Sequence, residues 1–512
     1  MALQYTSLTS IPGIVAHQRA EFQTFKTIPI QYRLNQLRNL YFAIKDNQEL
    51  LVEALRTDLN KPAFETYVTE INYVLSETSY IMKNLAAWSK DEPIKDTSML
   101  FKFSSPFISK QPFGTVCVIA PWNYPINLTI SPIIGAIAAG NTVVLKLSEV
   151  TPNVSRVLTT VLTHALEESI FSVVNGAIDE TTVLLEQKFD KIFFTGNGTV
   201  GRLVSEAAAK QLTPVILELG GKSPAFVTKN CPDLKVAARR LLWGKFTNSG
   251  QTCVAPDYVL IEKEVKPEFF KRCKEVMKEF YPEGVTKDTE FTHIASTRHY
   301  NRLKSLMDKT KGDIVIGGEG WDEAAKFVPP TIIDNVQADD SLMQDELFGP
   351  ILPFITITSI QEGIDILTKN HDTPLSLYIF SADPREQEYI ISHTRSGGVL
   401  INDTLVHVGL IQAPFGGCGE SGSGSYHGKY SFDCFSHSRT VVKQSIWIEF
   451  LLKARYAPYT KKNLSLIKFA NSEKEWFGRE GHIREGRWLN FWYVSSAVIL
   501  GASSGVYWYL NK

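Results

Sequence analysis

The sequence predicts an α/β protein of two or three domains built on mostly parallel sheets, with a separate apolar segment at its C-terminal end. Three observations lead there. Short β-prone runs alternate with helix-length stretches from Val116 onward, a purely helical pattern precedes them, and an uncharged stretch with aromatic ends closes the chain. At 512 residues the chain is longer than one hydrophobic core serves.

Apolar positions recur at three and four in RLNQLRNLYFAIKDNQELLVEAL, so residues from about 30 to 90 read as helices. Val116–Ala120, Thr142–Lys146, Ser172–Asn175 and Lys191–Phe194 are then short β-prone runs, and helix-length segments separate them. That alternation implies βαβ units and a parallel sheet. It resumes after Glu218, through Ala225–Thr228 and Val259–Glu262 to Val399–Asn402, which places a domain boundary near Glu218. SGSGS at 421–425 reads as a flexible loop, and no internal repeat is visible.

Trp488–Leu510, WLNFWYVSSAVILGASSGVYWYL, carries no charged residue. At ~1.5 Å per residue a helix there reaches roughly 34 Å, enough for a hydrocarbon core of about 30 Å. Trp488, Trp492 and Tyr493 at one end and Tyr507, Trp508 and Tyr509 at the other suit the two headgroup interfaces. Arg484 and Arg487 precede the span, so the positive-inside bias leaves the body of the protein in the cytosol. An amphipathic or buried C-terminal helix is the alternative, favoured by Asn490, Ser495, Ser496, Ser503 and Ser504 inside the stretch. Lys453, Arg455, Lys461, Lys462 and Lys468 lie between body and span, either against anionic lipid or as a solvated linker.

Charge excludes little but argues against nucleic acid as a partner: Lys+Arg number 53 against Asp+Glu 54. Six cysteines in a chain of this length make no disulfide scaffold. The start MALQYTSLTSIPG has neither the basic flank and apolar run of a secretory signal nor the pattern of a matrix-targeting peptide. A free thiol in a reducing compartment is the expectation.

Four segments carry chemistry. Asn248-Ser-Gly-Gln-Thr-Cys253 puts a cysteine after a polar, Gly-containing turn; taken alone it equally suits an inert core thiol. Glu218-Leu-Gly-Gly-Lys222 follows an apolar run and puts a carboxylate at a strand end, as a general base or as a turn residue. In Pro121-Trp-Asn123-Tyr-Pro125 an amide sits on a rigid turn, able to donate to an oxyanion or to cap the next helix. Gly196, Gly198 and Gly201 satisfy G-x-G-x-x-G between a strand and a helix, a context for binding phosphate at a helix N-terminus.

Together, and in this order, these segments resemble the aldehyde dehydrogenases. Lys146 in VVLKLSE and Glu346-Leu-Phe348-Gly-Pro350 add to the likeness, which runs from about residue 10 to 460. GQTCVAPDYV, Ile401–Asp403 with His407, and PFGGCGESGSGSYHGKYSFDCFSHSR resemble class 3, whose fatty-aldehyde members, the fungal hexadecenal type among them, carry a C-terminal membrane anchor.

The resemblance implies a Rossmann-like NAD-binding domain, an α/β catalytic domain, a small bridging and oligomerisation element and a transmembrane helix. It implies Cys253 as nucleophile, Asn123 and the Cys253 backbone N–H as oxyanion donors, and Glu218 as the base that activates water. It puts Lys146 and Glu149 at the adenosine ribose, Glu346 at the nicotinamide ribose and Phe348 beside it; Gly196, Gly198 and Gly201 are looser phosphate contacts. A carboxylate at Glu149 repels a 2′-phosphate, so NAD is expected over NADP. Two positions depart from the family pattern, Leu147 where relatives have proline and Gly198 where they have a small polar residue or threonine.

The implied division is 1–217 for the N-terminal helices and cofactor domain, 218–404 for catalysis and 405–460 for the bridging segment. A basic linker at 461–487 and a tail anchor at 488–510 follow. Expected partners are a long-chain aliphatic aldehyde, a membrane (endoplasmic reticulum, mitochondrial outer membrane or lipid droplet) and a second copy of the chain. The ten histidines show no metal spacing and the mechanism needs no metal. Aromatic or medium-chain aldehydes, acyl transfer to coenzyme A, and a catalytically silent relative stand as rival readings; an intact Glu218 opposes the second, and the complete Cys253, Glu218 and Asn123 set the third.

Overall fold

The computed structural model describes residues 3–95, 97, 101, 103–370, 373–470, 477 and 479. They fall into two units: one of residues up to Asp91 with Ser109–Arg439, the other of Glu92–Ile108 with the chain from Thr440 on.

The first unit holds two sheets. In the six-stranded sheet the order is Gly422–Ser423, Val215–Glu218, Lys191–Thr195, Thr115–Ile119, Thr142–Lys146, Phe171–Val174. Its five longer strands are parallel, and Gly422–Ser423 pairs antiparallel. Strands Thr115–Ile119 and Thr142–Lys146 are buried throughout, the continuous apolar pattern of a sheet covered on both faces. The chain moves outward from Thr115–Ile119 to one edge, then returns to Lys191–Thr195 on the other side. Those two neighbours therefore form the switch point where crossovers diverge, the crevice in which such sheets bind ligands. Pro121–Tyr124 leaves the end of one strand and Gly196–Gly198 the end of the other.

The seven-stranded sheet has the order Asp313–Ile316, Thr331–Asp334, Ile351–Ile357, Tyr258–Glu262, Pro224–Val227, Ser376–Phe380, Gly398–Ile401. Only the first pair is antiparallel. The β-prone runs predicted from sequence all coincide with strands to within a residue at either end. The N-terminal helical region divides into Ile30–Asp46, Gln48–Leu59, Ala63–Thr66 and Asn72–Trp88, with a π-helical turn at Tyr67–Ile71. The helix Asn127–Ala139 is buried along its length and stops at Gly140, whose φ of +95° makes a left-handed C-cap.

The loop expected at 421–425 is a correction. Ser421 and Gly422 are buried, and Gly422 pairs with Glu218, Ser423 with Leu217. Glycine permits this: Gly422 has φ +138°, and a Cβ there would lie 2.1 Å from the Leu217 carbonyl oxygen. Gly422→Ala is expected to destabilise the protein by about 2 kcal/mol or more and to lower kcat, since the strand that presents Glu218 must shift. A thermal midpoint and kcat both equal to the parent's would contradict this.

In the second unit Glu92–Pro93 pairs antiparallel with Phe107–Ile108, and short helices run over Ile446–Ile448, Glu449–Leu452 and Lys461–Ala470. Ile446, Trp447, Phe450, Tyr459 and Phe469 are exposed. Among the described residues no helix is long and apolar enough to cross a membrane. The predicted span Trp488–Leu510 lies outside the described residues.

Candidate active site

Cys253 follows a backbone turn of unusual shape. The helix Leu234–Phe246 ends, and Asn248 (φ 53°, ψ 28°), Ser249 (φ 54°, ψ 32°) and Gly250 (φ 70°) are all left-handed. Each non-glycine residue in that region costs of order 1–2 kcal/mol, so the turn persists only where its surroundings fix it. Side-chain amides do much of this. Asn248 Nδ2 donates to the carbonyls of Asn123 (2.9 Å) and Gln251 (3.1 Å). Gln251 Nε2 donates to Asn248 O and His293 O, while its Oε1 accepts from Ala295 N at 2.9 Å. Tyr124 and Thr252 hydroxyls lie 2.6 Å apart. A Cβ on Gly250 would sit 2.3 Å from Gly349 O, so the Glu346–Pro350 segment is packed against this turn.

The Cys253 side chain is half-buried between buried neighbours Thr252 and Val254. Burial pushes its thiol pKa up, and the carboxylates of Glu346 and Glu218 push it further. Glu218 ends its strand buried. Neither of its carboxylate oxygens has a hydrogen-bond partner among the described residues. Burial alone raises its pKa well above the usual carboxylate range. Asn123 is buried, and its Nδ2 donates to Gln251 O at 3.0 Å, leaving one N–H of the amide uncommitted among the described residues. It does not cap the helix after it: the N–H groups of Ile126 and Asn127 go to Glu70.

Glu346 lies against the Gly220-Gly221 turn, where a Cβ on Gly220 would meet its Oε2 at 2.2 Å. Gly220 thus permits the close approach of Glu346 to this turn. Burial first, then the charge of Asp257, moves the Glu346 pKa up to about 8. Phe348, left-handed at φ 49°, meets the Trp122 ring edge-on at 5.4 Å. Asp257 is a residue that sequence reasoning missed. It accepts from Lys222 Nζ (2.7 Å), Lys245 Nζ (3.2 Å) and the Leu347 N–H, all buried. Despite burial, the two lysines hold its pKa below the usual range. In sequence it is one aspartate before a strand, and only the two distant lysines give it meaning.

At the carboxyl end of the six-stranded sheet Lys146 is buried and pairs with Glu149 at 2.9 Å. Gly196 follows the strand Lys191–Thr195 and Gly198 opens the helix Gly198–Ala209, with Asn197 Oδ1 accepting from Val200 N–H. None of Gly196, Gly198 and Gly201 has a positive φ. Gly201 serves close packing instead: a Cβ there would lie 2.9 Å from a Leu219 methyl, beside Glu218.

A doubly wound sheet with a half-buried thiol and a buried carboxylate that has no hydrogen-bond partner among the described residues is the frame of a nucleotide-dependent enzyme with covalent catalysis. The chain belongs to the aldehyde dehydrogenase family, whose model matches residues 3–441; it is an NAD(P)-dependent aldehyde dehydrogenase related to class 3 members. It is similar to the beta-apo-4'-carotenal oxygenase of Neurospora crassa, 40% identical over 503 residues, 98% of this chain and 93% of that protein. To the dimeric NADP-preferring aldehyde dehydrogenase of Canis lupus familiaris it is 42% identical, over 89% of this chain and 99% of that one. With aldehyde dehydrogenase family 3 member A2 of Pongo abelii the identity is 41%, over 90% and 95%. Among solved structures, the AldH of Staphylococcus aureus in a substrate-bound state superposes with a TM-score of 0.86 at 40% identity, covering 89% of this chain and 98% of that one.

Proposed function

We propose that this protein oxidises long-chain aliphatic aldehydes to fatty acids with NAD, through a thiohemiacetal and then a thioester on Cys253. The observation that carries the mechanism is Glu218. A buried carboxylate with no partner among the described residues is costly, and a base kept for an incoming water accounts for it. The Cys253 thiolate attacks the carbonyl carbon, and the carbonyl π pair moves to oxygen. The free amide N–H of Asn123 and the backbone N–H of Cys253 receive that oxyanion. NAD(P), when bound, supplies the acceptor for the hydride. Glu218 then takes a proton from water as the water attacks the thioester; the acid leaves and the Cys253 thiolate returns. Burial favours the protonated forms of Glu218 and Cys253, so kcat should rise as pH increases through the neutral range; a fall over that range would contradict the assignment. Asn123→Ala is expected to lower kcat by about 10²-fold, with little change in KM for the nucleotide.

The residues at the crevice fit a dinucleotide. The switch point of the sheet, the buried Lys146 with the partly exposed Glu149 it pairs with, and the backbone from Gly196 to Gly198 would supply cation, carboxylate and N–H groups where ribose and phosphate would lie. Glu346 and Phe348, in the segment that packs against the nucleophile turn, would hold the nicotinamide ribose. Glu149 favours NAD by repelling a 2′-phosphate. A second reading has specific support: Lys146 offsets that charge at 2.9 Å, and one relative is named NADP-preferring. Glu149→Gln is expected to raise the NADP to NAD ratio of kcat/KM by about tenfold; an unchanged ratio would remove Glu149 from the cofactor site.

The substrate class rests on the apolar tail. The match to the Neurospora relative covers 503 residues, too many for Trp488–Leu510 to lie wholly outside it, and that protein is named for a carotenal. Exposed Trp447, Phe450 and Phe469 near Lys461, Lys462 and Lys468 in the sequence suit a lipid surface. We place residues 1–217 as the cofactor domain, 218–404 as catalytic, 405–460 as bridging, and 488–510 as a tail anchor in the endoplasmic reticulum, outer mitochondrial membrane or lipid droplet. The dimeric relative supports a homodimer. NADH formation should be faster with hexadecanal than with benzaldehyde; the reverse would keep the mechanism and overturn the substrate.

A further inference from the structure

Glu65 lies outside every motif named above, yet it touches the nucleophile turn. It belongs to the short helix Ala63–Thr66, which runs directly into the π-helical turn Tyr67–Ile71. Glu65 Oε2 accepts from the Asn248 N–H at 3.0 Å and from the Thr292 hydroxyl at 3.2 Å. Asn248 is the first left-handed residue of the turn that ends in Cys253. From the other end of the π turn, Glu70 Oε2 accepts from the N–H groups of Ile126 (2.8 Å) and Asn127 (3.4 Å), just after Asn123. Asn127 Nδ2 returns a bond to Thr69 O at 3.1 Å. Lys61, ion-paired with Glu70, sits 4.1 Å over the Tyr124 ring, whose hydroxyl meets Thr252.

One stretch of helix therefore holds both loops of the catalytic centre. Glu65, on the helix leading into the π turn, and Glu70, within that turn, reach the two loops together.

We propose that Glu65 is a positioning residue for Cys253: its carboxylate fixes the left-handed entry at Asn248, and with Glu70 it sets the nucleophile turn against the Asn123 turn. The proposal rests on Cys253 as nucleophile. An acceptor of both bonds is suited to this task because without it the buried Asn248 N–H is left unpaired, and the left-handed backbone relaxes.

The test is a set of full-length variants with three readouts: kcat and KM with hexadecanal and NAD, the rate of Cys253 alkylation by iodoacetamide followed on its peptide by mass spectrometry, and the thermal midpoint. Glu65→Ala and Glu65→Asp, which withdraws the carboxylate by one methylene, are expected to lower kcat about tenfold. Alkylation of Cys253 should slow in parallel, with KM for NAD within about twofold. Glu65→Gln, whose amide oxygen accepts the same two bonds, should restore both rates to within about threefold. If Glu65→Ala does not fold, the Asp and Gln pair decides alone. Full kcat and full alkylation in a folded Asp variant would overturn the proposal, as would equal losses in Asp and Gln. A lowered thermal midpoint with both rates unchanged would make Glu65 purely structural. Residual activity in Cys253→Ala would instead sink the underlying nucleophile assignment, so the two failures are distinguishable.

Discussion

Cys253→Ala is expected to form no NADH with any aldehyde, a loss of at least about 10⁴-fold in kcat, while still binding nucleotide. The reason is chemical rather than architectural. Alanine is smaller than cysteine, and the turn before it is held by Asn248, Gln251 and Thr252 through their own bonds. Removing the sulfur should therefore leave the fold and the Glu346 wall in place. It deletes the atom that would form the covalent bond, and the core thiols do not replace it: Cys117 and Cys273 are buried in core clusters, with pKa values pushed up by burial. Nucleotide binding measured by fluorescence and a near-parental thermal midpoint would separate lost chemistry from lost structure. Activity above about a hundredth of the parent's would return the mechanism to a non-covalent hydride transfer.

Glu218→Gln carries the second-largest effect and a different signature. The amide is nearly isosteric and cannot take a proton from water. With hexadecanal and NAD the variant should release about one equivalent of NADH per active site and then slow by about 10³-fold, because the thioester forms but is not hydrolysed. Burst and steady state must therefore part. A loss of the burst along with turnover would assign Glu218 to the first half of the reaction. Hydroxylamine, which cleaves thioesters without a protein base, should restore turnover in Glu218→Gln and leave Cys253→Ala silent.

Much of this frame was legible in the residues. Thr142–Lys146 and Tyr258–Glu262 are wholly buried strands, and such strands write themselves as short apolar runs. Glu218 at a strand end before a Gly-Gly turn was readable, and the structure ends the strand Val215–Glu218 there. Cys253, Glu218 and Asn123 came from three separate motifs and converge through tertiary structure: Asn123 bonds Gln251, and Glu218 acts electrostatically on Cys253. What was illegible depends on distant partners. Asp257 needs Lys222 and Lys245 to become a brace. Glu65 needs the left-handed Asn248, and a π turn leaves no periodic signature in five residues. Gly422–Ser423 is too short to show a strand pattern, so glycine-rich SGSGS read as a loop although two of its residues pair beside Glu218.

The central claim is that a fatty aldehyde becomes covalently attached to Cys253 before it leaves as an acid. The most direct measurement is intact-mass and peptide spectrometry of full-length Glu218→Gln quenched in acid after hexadecanal and NAD. The account predicts one hexadecanoyl group per chain on the Cys253 peptide, absent without NAD and removed by hydroxylamine. An unmodified Cys253 peptide in a sample that has released its burst of NADH would contradict it.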